Sequence, residues 1–382
     1  MRLGSLALPV LLSLALLACG DDGGGSSADT AIATDTVTAD TTPADTATPT
    51  DTTAEDTVVA DAGEDTATTA DTTEPIDTSP PPALLEDYPL DDDEAYPESV
   101  TFDPVGRAFF TGSLALGNVT RIAADGTERE LFAGNDEGEW LILGLEADPV
   151  RRRLWVCVGE GRELSGSELW LLDLDTGERT WRVDLDTVQP GGVCIDVVLT
   201  GDGTAYVADR AFPKVYKAVA ETQTITTFAD DPALEPGLIG ANGIAVDETE
   251  RFLVVAKFLP PELVRIKLAA PLDVAAVDLL DPPAGSFDGG VDGVTILDGA
   301  AYLAIDGQLA RATPDESWTY ANVAFMDLSL PNGDPVSGVS GITVAEGALY
   351  LSQSYVTLFA VGTQPELPFH VFRVDHLGFD DD

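Results

Sequence analysis

Basic residues are scarce: 19 Lys and Arg stand against 67 Asp and Glu, leaving a formal charge of −48 over 382 residues. A chain this acidic repels phosphate backbones, which excludes nucleic acid as a partner. Histidine is nearly absent as well, and the only two, His370 and His376, stand close to the C-terminal end. Three cysteines, with no paired-cysteine spacing, exclude a thiolate zinc site. No Gly-x-Ser-x-Gly elbow and no phosphate loop is present. The longest apolar run, Leu3 to Leu17, spans roughly 15 residues and contains Pro9, too short for a bilayer-spanning helix of about 20. Segments of helical period are essentially missing, so an α-rich fold is excluded too.

What the N-terminal region does contain is an address. Met1-Arg2, the apolar run and then Leu16-Leu17-Ala18-Cys19 read as an export signal, residues 1–18, ending in a lipobox. The expectation is a bacterial lipoprotein cleaved before Cys19 and lipidated on it, with several acyl chains giving stable anchoring. Gly20, in place of Asp after the cysteine, points to the outer membrane, on its periplasmic face or the cell surface. Residues 19–83 are built from Thr, Asp, Ala, Pro and Ser, with no Lys or Arg. Such a segment buries too little apolar surface to offset its ordering entropy, so a disordered, extended tether is expected.

Beyond the tether an internal repeat of about 48 residues decides the fold. Six instances begin at Glu98-Ser99-Val100, Leu143-Gly144-Leu145, Ile195-Asp196-Val197, Asn242-Gly243-Ile244, Asp292-Gly293-Val294 and Ser340-Gly341-Ile342. Each runs into a second apolar strand, such as Leu154-Trp155-Val156 or Leu349-Tyr350-Leu351, with Asp-Gly or Glu-Gly turns marking several hairpins. Third and fourth strands are legible in places, as in Glu168 to Asp173 followed by Thr180 to Val183. The predicted fold is all-β: a six-bladed β-propeller over residues 84–382, monomeric, preceded by the tether.

In a propeller most repeat residues are core, and chemistry belongs where the innermost strands begin, around the channel mouth. Matching the repeats puts Glu98, Leu143, Ile195, Asn242, Asp292 and Ser340 at that ring. Glu98, Asn242 and Asp292 are hard oxygen donors, the set a calcium-like divalent cation takes. Asn-Gly and Asp-Gly are also common turn dipeptides, but Glu98 after Pro97 has no turn role of its own. The loops Asn135 to Glu139 and Phe287 to Gly290 read mainly as solvated connections. Cys157 and Cys194 lie in adjacent blades, and both a disulfide and two buried thiols are open.

On these residues the stretch from Tyr96 to Asp375 resembles the gluconolactonase and senescence-marker-protein group, also called regucalcin-like propellers. The resemblance implies one divalent metal, held by Glu98 of Pro97-Glu98-Ser99, Asn242 of Ala241-Asn242-Gly243 and Asp292 of Val291-Asp292-Gly293. It also implies an Arg-x-Asn-Asp run in the third blade whose Arg and first Asn contact substrate. Here that run reads Val193-Cys194-Ile195-Asp196, so only the acid, Asp196, matches. Ile195 and Asp196 are therefore the expected substrate contacts, and Ile195 and Leu143 on the rim point to a more hydrophobic ligand or to none. Two functions follow. One is a metal-dependent hydrolase of a lactone or related cyclic ester, with Asp292 both ligating the cation and accepting a proton. The other is a non-catalytic binding or scaffold propeller displayed on the tether.

Overall fold

The computed structural model describes residues 82–382, apart from 135–138, 281, 283–285, 288, 376–377 and 380–382. The signal, Cys19 and nearly all of the tether thus lie outside the described residues, as do His376, Asp288 and most of Asn135 to Glu139. Among the described residues no helix is long and apolar enough to cross a membrane.

Twenty-four strands form six four-stranded antiparallel units. The first holds β2 (Pro97–Asp103), β3 (Ala108–Ser113), β4 (Val119–Ala123) and β5 (Glu128–Phe132). The second holds β6 (Trp140–Asp148), β7 (Arg153–Glu160), β8 (Ser167–Asp173) and β9 (Arg179–Asp184). Next come β10 (Cys194–Leu199), β11 (Ala205–Asp209), β12 (Lys214–Val219) and β13 (Thr224–Asp230), then β14 (Ile239–Val246), β15 (Phe252–Leu259), β16 (Glu262–Lys267) and β17 (Val274–Leu280). The fifth unit is β18 (Val294–Leu297), β19 (Ala300–Ile305), β20 (Gln308–Pro314) and β21 (Tyr320–Asp327). The last is β22 (Val339–Ala345), β23 (Ala348–Gln353) and β24 (His370–Val374), completed on its outer edge by β1 (Asp87–Pro89).

The first strands of the units close a ring, β2 on β6 on β10 on β14 on β18 on β22 and back to β2. This is a propeller arrangement. Its core lies between sheets: Phe110 and Val119 of the first unit pack on Val156 and Trp170 of the second, and Phe109 and Val100 pack on Tyr350 and Val371 of the last. The alternating apolar residues that mark the repeat supply these faces, as half-buried strands require. Burial on both faces also explains why runs such as Arg153–Glu160 are apolar almost throughout. One departure from simple repetition is that the outer strands β17 and β21 pair in parallel, Asp278 opposite Tyr320 through Leu280 opposite Asn322, so units four and five share one eight-stranded sheet. That pairing satisfies two backbone edges that would otherwise face water.

Where glycine follows a mouth position, in four of the six repeats, it has a packing cause. A Cβ on Gly144 would lie 2.5 Å from Asp196 Cα, and one on Gly293 would lie 2.4 Å from the Ser340 carbonyl oxygen. At these two positions neighbouring inner strands approach too closely for a side chain. Hydrogen bonds cross the same gaps: Ser99 Oγ donates to the Leu143 carbonyl at 2.5 Å, and the Ile244 N–H donates to Asp196 Oδ2 at 3.0 Å.

Candidate functional site at the channel mouth

Five of the six inner strands are irregular at their mouth residues. Register breaks between Pro97 and Ser99, Ile142 and Leu145, Cys194 and Asp196, Ala241 and Gly243, and Val339 and Ile342. The skipped residues are Glu98, Leu143 with Gly144, Ile195, Asn242 and Ser340 with Gly341. A bulge leaves its extra residue out of the ladder and re-aims its side chain. In the fifth unit Asp292 precedes β18, and its N–H donates to the Ala304 carbonyl at 2.9 Å. The result is a cavity of about 250 Å³ lined by all six inner strands, with Glu98, Asn242 and Asp292 at the top.

Asn242 Nδ2 donates a short hydrogen bond to Asp292 Oδ1, and Glu98 lines the same cavity within the field of Asp292. Burial, reinforced by Asp292 and Asp196, holds the Glu98 carboxyl well above the usual range. Burial likewise pushes Asp292 up to about 7, with Arg210 and the Asn242 amide opposing the shift and Asp306 adding to it. Two carboxyls this close in a poorly hydrated pocket resist joint ionisation, and a cation between them would remove the conflict. Among the described residues no three His, Cys, Asp or Glu side chains form a metal-binding group; the mouth offers two carboxyls and an amide. The donor types fit a hard cation with remaining positions filled by water or ligand oxygen.

Arg210 is the mouth residue that repeat matching overlooked. It follows β11 and stands across from Val193, to whose carbonyl its N–H donates at 3.0 Å. Val193 is the position at which the resemblance implies an arginine. The guanidinium thus enters from the adjacent strand of the same unit, with Nη1 3.4 Å from Asn242 Oδ1. Burial lowers its pKa while Asp292 and Glu98 raise it. Its signal in the sequence was its place just beyond a second strand, whose far end returns to the mouth.

Ile195 lines the cavity but is 1% exposed, and it joins an apolar cluster with Leu143, Cys157 and Cys194, which Phe359 of the short helix α1 (Val356–Val361) also enters. The apolar rim is thus largely packed into the core. Asp196 faces the channel, yet its carboxylate also accepts the N–H groups of Val197 and Ile244, the second of which ties units three and four together. Deeper in, Glu146 accepts from Thr101 Oγ1 at 3.0 Å and shares its level with Thr295 and Thr343. Cys157 and Cys194 form a disulfide between units two and three, with Cα atoms 5.1 Å apart. His370 lies on β24, beside outermost β1, and pairs with Asp87 at 2.7 Å, away from the mouth.

No protein family matches the chain by sequence, and no curated protein matches it. Among solved structures, the Malassezia sympodialis allergen Mala s 1 is similar with a TM-score of 0.62 at 17% identity, covering 78% of this chain and 98% of that one. The chain has the propeller fold. A luciferin-regenerating enzyme (TM-score 0.54, 14% identity, 77% of this chain and 96% of that one) has the same architecture. So does the PQQ-bound aldose sugar dehydrogenase of Streptomyces coelicolor (0.52, 14%, 77% and 99%). A candidate gluconolactonase aligns at 17% identity with a TM-score of 0.47, too low to carry an argument. At these identities the comparisons support the propeller fold alone.

Proposed function

We propose that the propeller binds one divalent cation, calcium by donor chemistry, at its channel mouth and acts there as a lactonase-like hydrolase of a lactone or related cyclic ester. The observation that carries this reading is the convergence of Glu98, Asn242 and Asp292 from three separate units on one cavity. Glu98 and Asp292 would hold the ion through carboxylate oxygens, and Asn242 through its amide oxygen. When bound, the cation supplies Lewis acidity toward a carbonyl and lowers the pKa of a coordinated water. Asp292, beside the cation, would accept the proton from the attacking water. Arg210 contributes a donor aimed into the same space, where a developing oxyanion would be stabilised.

Calorimetric titration with calcium tests the first half: the wild-type chain binds about one ion, and Asp292→Ala loses binding by at least tenfold. A panel of lactones assayed with and without chelator tests the second. Absence of metal-dependent turnover leaves the alternative, a non-catalytic surface or periplasmic binding propeller. The packing of Leu143 and Ile195 into the core favours that alternative, because it leaves few side chains to grip a substrate. In either case the propeller is proposed to be monomeric and lipid-anchored through Cys19 to the cell envelope at the outer membrane. Incorporation of labelled palmitate into the wild-type chain but not into Cys19→Ala tests the anchor.

A further inference from the structure

We propose that Arg210 selects the ligand of the mouth and that this ligand carries a carboxylate, held by the guanidinium beside the cation pocket. The inference rests on the proposed function for the shared pocket, though not for any bond cleavage.

Arg210 is held in place by the turn that bears it. Asp209, 1% exposed, accepts the N–H groups of Val193 at 3.1 Å, Ala211 at 2.8 Å and Phe212 at 3.2 Å, and also takes the Tyr216 hydroxyl. On the other side the backbone of the fourth unit closes in, for a Cβ on Gly240 would lie 2.1 Å from the Arg210 carbonyl oxygen. The side chain therefore leaves a rigid base and reaches the amide of Asn242, a lining residue of the mouth.

Its donors are largely unspent. Among the described residues the guanidinium makes a single hydrogen bond, to Asn242 Oδ1 at 3.4 Å, and no ion pair within 4.0 Å. Structural arginines in this protein behave otherwise: Arg152 reaches Asp103 at 2.7 Å and Asp175 at 2.5 Å, and Arg153 reaches Glu221 at 2.7 Å. A guanidinium offers five N–H donors in a planar fork that a carboxylate fits in two-point fashion.

The test titrates the full chain in calcium with tetrahydrofuran-2-carboxylate and, separately, with its neutral methyl ester, by calorimetry. The wild type should bind the carboxylate at least tenfold more tightly than the ester. Arg210→Gln should erase that preference, Arg210→Lys should restore part of it, and both variants should still bind calcium. Failure of the wild type to prefer the carboxylate, or an unchanged preference in Arg210→Gln, overturns the proposal. A lower melting temperature in Arg210→Gln with the preference intact also overturns it, since that marks a merely structural role. Carboxylate binding that persists without calcium supports the role of Arg210 while counting against the cation, so the two readings fail separately.

Discussion

Burial pushes the Glu146 carboxyl up to about 8, with Asp196 and Asp148 adding to the shift and the Thr101 hydroxyl opposing it. A carboxyl whose folded pKa is raised favours the native state while it keeps its proton. Between about pH 4.5 and 8 the native chain holds that proton and the unfolded chain has released it, so stability falls as pH rises through this window. One such group contributes a slope of about 1.4 kcal/mol per pH unit at most. Asp196, pushed by burial to about 7, acts in the same direction. Thermal melts in chelator should show a domain more stable at pH 5 than at pH 8, with Glu146→Gln flattening the dependence. A variant with the wild-type slope would mean that Glu146 is already ionised in the folded state. The residue was legible in hindsight. Three positions past each mouth residue stand Thr101, Glu146, Val198, Ala245, Thr295 and Thr343, and Glu146 is the only acid in that row.

At the scale of elements, the Gly that follows the mouth residue in four of the six repeats reads from sequence as a turn former. In the structure it marks the closest approach of one inner strand to the next. Gly144→Ala places a methyl 2.5 Å from Asp196 Cα and 2.7 Å from the Ile195 carbonyl oxygen, both backbone atoms that cannot swing aside. Separation of β6 from β10 should cost about 1–3 kcal/mol, measurable as a lower denaturation midpoint. The strain falls beside Asp196, and the Cys157–Cys194 disulfide joins the same two units. An unchanged midpoint would show that the inner strands can slide apart freely. The bulges were not legible, because nothing in the apolar runs through them marks which residue leaves the ladder. Only the broken register reveals that Glu98 and Asn242 are turned out of the ladder.

For the whole molecule, closure depends on a segment that matches no repeat. β1 supplies the outermost strand of the last sheet, with Asp87 opposite Phe372 and Pro89 opposite His370, so the N-terminal part of the domain completes the sheet formed by its C-terminal part. Tyr88 pins this strand. Its ring, 2% exposed, lies 5.3 Å from that of Phe109 in the first unit, and its hydroxyl donates to the Ala124 carbonyl at 3.2 Å. Tyr88→Ala removes a large buried aromatic at the seam and should destabilise by about 3 kcal/mol. Limited proteolysis should then cut first near residues 82–90. Equal resistance in wild type and variant would place the seam's strength elsewhere.

The repeat length, the turn signals and the alternation of apolar residues determined the all-β propeller and the ring of mouth positions, because both follow from local periodicity. Chemical type at matched positions was enough to single out Glu98, Asn242 and Asp292. What only the tertiary structure decided were relations between residues in different strands or units. It set Arg210 across from Val193, folded Ile195 and Leu143 into the core, and joined Cys157 to Cys194. Those outcomes depend on which backbones come within a few ångströms of one another around the axis, and that proximity is created when the ring closes.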